Sequence, residues 1–218
     1  GMVTVEAGIG QPDTPADPSK IGLGTSGVTM PITNSSSVVN VTFAGAGGSG
    51  FAAGIGISVN TINNDIIASV QNCAVIEAHG DISLSAVDAS VIDALAFGAA
   101  VSTSSGAGGG AVSVNVITNK IGTAISGSTV LAGVNPDGTA VTNDAADVIL
   151  GSTSSSIIRA LAVGVSGGSN FAVSVSALGN AVANDVTAVL SGSTVIAGGG
   201  MAPVAFEIVP SVSTLGLL

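Results

Sequence analysis

Ser126-Gly-Ser-Thr-Val-Leu-Ala-Gly133 returns later in the chain as Ser191-Gly-Ser-Thr-Val-Ile-Ala-Gly198. A recurrence this close marks a repeat, and a repeat decides the architecture before any single element is assigned. Asn64-Asp65-Ile66, Asn119-Lys120-Ile121 and Asn184-Asp185-Val186 mark a second point of the same unit, at spacings of 55 and 65 residues. Asp81-Ile-Ser-Leu-Ser85 returns as Asp147-Val-Ile-Leu-Gly151, Ala94-Leu-Ala-Phe-Gly98 as Ala160-Leu-Ala-Val-Gly164, and Ala111-Val-Ser-Val114 as Ala172-Val-Ser-Val175. The length difference falls in connectors such as Val134-Asn-Pro-Asp-Gly138, which is built of turn residues. The phase gives three regions: an N-terminal lead-in at 1–37, about three β-repeat units over 38–200, and a divergent C-terminal segment at 201–218. Pro203 and Pro210 are expected to limit regular pairing in that last segment.

Inside each unit the alternation has a period of two. Val91, Asp93, Leu95, Phe97 and Val101 alternate with Ala94, Ala96, Gly98 and Ala100. Ile55, Ile57 and Val59 alternate with Gly54, Gly56 and Ser58, and Val112, Val114 and Val116 with Ala111, Ser113 and Asn115. A helix would scatter the large residues around its circumference, whereas a strand sets them all on one face. The large face is expected to be the buried one. The Ala/Gly/Ser face is nearly flat, gains little from water, and is expected to be covered by another layer of the chain or by a neighbouring copy. Self-association through this flat face follows as an expectation.

Two kinds of connection recur. Gly47-Gly-Ser-Gly50 and Gly167-Gly-Ser-Asn170 separate pairs of alternating strands and fit antiparallel hairpins, with Ser102 to Gly110 as a longer version. Val-x-Ala-Gly followed by Asp-Val-x-Leu instead suggests successive turns of a parallel coil. The fold class read from these signals is all-β: a repeat β-helix or β-solenoid of alternating large/small strands. The hairpins are either projecting arms or part of the coil.

Composition removes several functional classes. Charged residues are 7% of the 218, and 13 acids against three bases (Lys20, Lys120, Arg159) leave a formal net charge of −10. No phosphate-neutralising surface can be built from that balance, so nucleic acid is excluded as a partner. Mean hydropathy is +0.74, yet Ser, Asn, Asp or Gly interrupts every apolar stretch before the roughly 20 residues of a spanning helix. No membrane insertion is therefore expected. Five Phe and no Trp or Tyr leave little for stacking on sugar rings.

The chemistry-bearing residues are sparse. His79, the one histidine, shares a strand side with Glu77 and Asp81, the geometry of a weak cation site; with Gly80 marking a turn and no second nitrogen or sulfur ligand nearby, a solvated turn is the expected reading. Cys73, the one cysteine, falls where sister units have Ser128 and Ser193 and reads as a substituted small polar residue. Asp65 and Asp185 sit at the Asn-Asp step. Asp144 and Asp147 flank a connector and are the one place where adventitious Ca²⁺ is conceivable. Neither the Gly-Gly-x-Gly-x-Asp nonapeptide nor an EF-hand loop is present. No catalytic residue, cofactor site or dedicated metal site is expected, and ranks of Thr-x-Thr suited to an ice-binding face are missing. A polysaccharide-acting enzyme on a β-helix would need clustered acids and bases, for which this chain has little material.

Ser-Gly-Ser-Thr-Val-x-Ala-Gly, Asp-Val-x-Leu and Ala-Leu-Ala-Val-Gly, over roughly Val38 to Gly200, resemble the repeats of large leukotoxin-type filamentous adhesins. The resemblance implies an exported, extracellular or cell-surface β-helical stalk carried by a very large bacterial protein, with a host protein or matrix as partner. A direct host-protein binding module acting through the hairpins is the alternative. The family pattern would place Asp-Val-x-Leu after the last Ser-Gly-Ser-Thr-Val, but Met201-Ala-Pro203 follows instead.

Overall fold

The structure, a computed structural model, describes residues 20–22, 28–73, 75–134 and 145–217. Among these there is no helix, and the strands follow one another in circuits. The first circuit holds β1 (Lys20–Gly22), β2 (Val28–Asn34), β3 (Ser37–Gly48), β4 (Ala52–Ile62) and β5 (Asp65–Gln71). The second holds β6 (Val75–Ala78), β7 (Ile82–Asp88), β8 (Val91–Ser102), β9 (Gly106–Ile117) and β10 (Lys120–Ser126). In the third, β11 (Thr129–Ala132) leads into β12 (Asp147–Gly168), one long strand that spans the places of both β7 and β8, then β13 (Phe171–Val182) and β14 (Asp185–Ser191). β15 (Thr194–Ala197) and β16 (Gly200–Leu217) begin a fourth.

All-β architecture is as the alternation predicts, and every strand pairing among the described residues is parallel. Each strand pairs with its counterpart one circuit away, so four sheets result. Sheet A is β5-β10-β14, sheet B is β1-β6-β11-β15, and sheet D is β4-β9-β13. Sheet C collects β2, β3, β7, β8, β12 and β16. Pairing starts at β1 and β2, ahead of Val38, and reaches past Gly200.

The expected antiparallel hairpins are not formed. β3 pairs with β8 in sheet C, while β4, just across the Ser49–Phe51 turn, pairs with β9 in sheet D. β8 and β9, and β12 and β13, part in the same way. Each Gly/Ser turn is an arch that carries the chain from one layer to the layer stacked on it. Small side chains explain the choice: two Ala/Gly/Ser faces can lie against each other, and a Cβ added at Gly54, Gly98 or Gly109 would strike the Ala99, Gly110 or Val165 carbonyl of the facing sheet. Sheets separated by ordinary side chains stand about 10 Å apart; these lie backbone to backbone.

Two bodies share the long strands. Sheets A and B and the first half of sheet C enclose a three-sided core in which Ile66, Ile82, Leu84, Ile121, Ile125, Val130, Val148 and Leu150 are buried. Each such side chain contributes roughly 1.5–3 kcal/mol on burial. Beyond it, β3, β8 and the second half of β12 stack on sheet D to form a thin two-layer blade, filled by Ala52, Ala96, Ala100, Ala107, Ala111 and Ala162.

In the blade the expected burial is reversed. Ile55 and Val59 are 61% and 65% exposed, Phe43 72% and Val175 56%, while Ser58, Ser113 and the glycines between them are covered. The large-residue face, expected inside, is the outer face. Backbone contact explains the reversal, because Gly98 leaves room for nothing larger between the layers. Of the two ways of covering the small face, the chain uses its own second layer, so that face is not open to a neighbouring copy.

The C-terminal segment corrects a further expectation. β16 pairs with β12 from Asp147↔Gly200 through Val163↔Leu217, with Met201 opposite Val148 and Pro203 opposite Leu150. The register slips once, where Ser155 faces Ile208 and Ile157 faces Ser211, so Pro210 falls in the bulge. An edge strand accepts proline at a bulge, since no ladder donor is needed there.

Candidate functional surface

Side chains of matching kind stack from circuit to circuit. Asn60 Nδ2 donates to Asn115 Oδ1 at 2.7 Å and Asn115 Nδ2 to Asn180 Oδ1 at 2.8 Å, each in the next circuit, while Asn40 Nδ2, in the facing layer of the first circuit, donates to Asn60 Oδ1 at 2.7 Å. In the first two circuits the second amide hydrogen goes to Ser58 or Ser113 Oγ. A fully connected amide ladder of this kind fixes register, because a slip of one residue would leave polar groups unpaired inside the blade.

A second column closes the waist between core and blade. The backbone N–H groups of Asn64 and Asn119 donate to Asn119 and Asn184 Oδ1, each at 2.9 Å. The side-chain amides cross to sheet C: Asn64 to Ser36, Asn119 to Asp88 and Ser90, and Asn184 to Ser154 and Ser156. Asp88 is fully buried, in register with Asn34 and Ser154, and accepts from Asn34, Ser90 and Asn119. Sequence reasoning passed over it because its counterparts carry no charge; its inward parity in a polar run was the available signal. Buried with three donors, this carboxylate acts as a structural acceptor.

Cys73 occupies the slot that the repeat phase assigns to it. Cys73 N donates to Ser128 Oγ and Ser128 N to Ser193 Oγ, while Ser128 and Ser193 each turn their own hydroxyl onto the carbonyl two residues back. The Cys73 thiol does the same to Gln71 at 3.7 Å. Next to it, Asn72, Gly127 and Gly192 stack with φ of 53°, 58° and 55°, the left-handed corner that favours Gly or Asn.

Among the described residues the candidate cation ligands are not gathered into a site. His79 Nδ1–H donates to the Val134 carbonyl at 3.0 Å, and Asp81 Oδ1 accepts from Asp147 N at 2.9 Å, so both serve the stacking of one circuit on the next. Asp144 lies outside the described residues. Among the described residues no three His, Cys, Asp or Glu side chains come together. Asp65 and Asp185 flank Lys120 in one register column, an alternation of sign that suits neighbouring strands.

The outer faces of the blade are the distinctive surface. On sheet D, rows such as Ile55–Gly110–Val175 and Val59–Val114–Gly179 run across the circuits with no charged residue among the outward positions. On sheet C, Phe43 stacks on Phe97 with ring centroids 4.8 Å apart. That face has one charged row, where Arg159 binds Asp93 through two hydrogen bonds of 2.5 and 2.7 Å. Arg159 holds the Asp93 carboxyl below the usual carboxylate range, chiefly by this hydrogen bond.

No family model, no curated protein and no solved structure matches the chain. Among the described residues no helix is long and apolar enough to cross a membrane.

Proposed function

We propose that this chain is a non-enzymatic β-solenoid segment whose circuits continue those of a larger exported bacterial surface protein, forming a stalk that spaces or presents other regions. The in-register amide ladder Asn60–Asn115–Asn180 carries the reading, because it makes each circuit the template for the next. In such stacks stability is close to a sum of unit and nearest-neighbour terms, so length can grow without a new core. The likeness of the Ser-Gly-Ser-Thr-Val units to filamentous adhesin repeats supports the exported, adhesive setting.

Three circuits rise only about 15 Å at roughly 4.8 Å each, so the chain alone is a plate and not a rod. X-ray scattering from a head-to-tail fusion of two copies therefore tests the proposal. The expected result is growth of the short dimension alone, with an unchanged cross-section. Two compact bodies tumbling on a tether would overturn it.

A further inference from the structure

We propose that the outer face of sheet D is a self-association surface, on which a second copy of this chain packs face to face and tip to base. The face is uncharged and centres on Ile57, Val112 and Ala177, which share one row. Three strands about 4.8 Å apart and about ten residues long at roughly 3.3 Å each make a face on the order of 500 Å². Two such faces closing together reach the ~1,000 Å² at which specific interfaces begin.

Its relief is self-complementary along β13, where the outward residues are Val173 and Val175 toward the tip, then Ala177, Gly179 and Ala181 toward the core, all exposed. A copy related by a two-fold axis through the Val112 row, which holds Ala177, sets its Val175 over Gly179 and its Val173 over Ala181, knob into hollow. Such an interface is isologous and closes on itself. Lipid fits less well: the tip carries Ser104, Ser105, Ser169 and Asn170 in turns, and entry into hydrocarbon would lead with those polar groups.

The test is sedimentation velocity of the full chain over a wide concentration range, beside Ile57→Lys and Val175→Lys on sheet D and Val41→Lys on the opposite face. A dimer is expected for the unmodified chain and for Val41→Lys. The two sheet D variants place like charges near the axis and should weaken it roughly tenfold or more. Val112→Cys in a Cys73→Ser background should form an interchain disulfide on oxidation, and this readout decides the matter alone if the lysine variants lose their β circular dichroism. A monomer throughout, a larger species indifferent to the sheet D lysines, or flotation of the monomer with phosphatidylcholine–phosphatidylglycerol vesicles would each overturn the proposal.

Discussion

Asn115 gives its side-chain amide to Asn180 at 2.8 Å, yet the buried Nδ2 of Asn180 finds no acceptor among the described residues. Two changes at the third circuit account for this. Leu178 replaces the serine that serves Asn60 and Asn115, and no described strand follows β13 in sheet D.

The ladder should therefore be unequal along its length. Asn115→Ala removes both an acceptor for Asn60 and a donor for Asn180 inside the blade, and a cost of about 2–4 kcal/mol is expected from unpaired buried groups. Asn180→Ala, at the already open end, should cost less than half as much. Urea denaturation of the two variants checks the order; equal losses would contradict the ladder.

Contact between the layers makes a sharper contrast among glycines. Gly98→Ala drives a methyl group against the Gly110 carbonyl and should cost about 3 kcal/mol or more by overpacking. Gly167→Ala meets nothing within 4 Å and should be neutral or slightly stabilising. Thermal unfolding separates them.

Core and blade should also answer differently to charge. Ile125→Asp buries a carboxylate among Ile121, Val130 and Leu150 and should abolish soluble folding. Val175→Asp, and Val114→Asp at a position 38% exposed, should leave β circular dichroism and solubility intact. Loss of fold in the Val175 variant would restore the large-face-inward reading.

The Asp93–Arg159 pair sets a weak acid dependence. Since the folded carboxyl titrates below its unfolded value, the contribution is present above about pH 4 and fades as pH falls through the folded value. Both groups face solvent, so the effect is small and screened by salt. Arg159→Met should flatten the fall in melting temperature between pH 4 and pH 3 relative to the unmodified chain.

Much of this was legible beforehand. Matching residues at 55- and 65-residue spacings do stand in register, as Asn64, Asn119 and Asn184 illustrate, and the serine-like role of Cys73 followed from phase alone. Orientation was not legible, because alternation tells which residues share a face and not which way that face looks. β12 shows the difficulty: its inward parity never changes, yet the inward residue is Leu150 in the core and Ala162 in the blade. The turns misled for a related reason. Gly-Gly-Ser between two alternating strands serves a hairpin and an arch equally, and only the pairing one circuit away tells them apart.

Because every strand ladder joins residues 53 to 66 positions apart, no strand can be completed by its immediate neighbours in the chain. Closing loops of that length must precede any reward. Assembly is then a matter of accretion: a finished circuit offers a row of open amides and carbonyls, and the next lays itself down as on a growing crystal facet. Refolding of the whole chain from denaturant should accordingly be slow and should advance from one end.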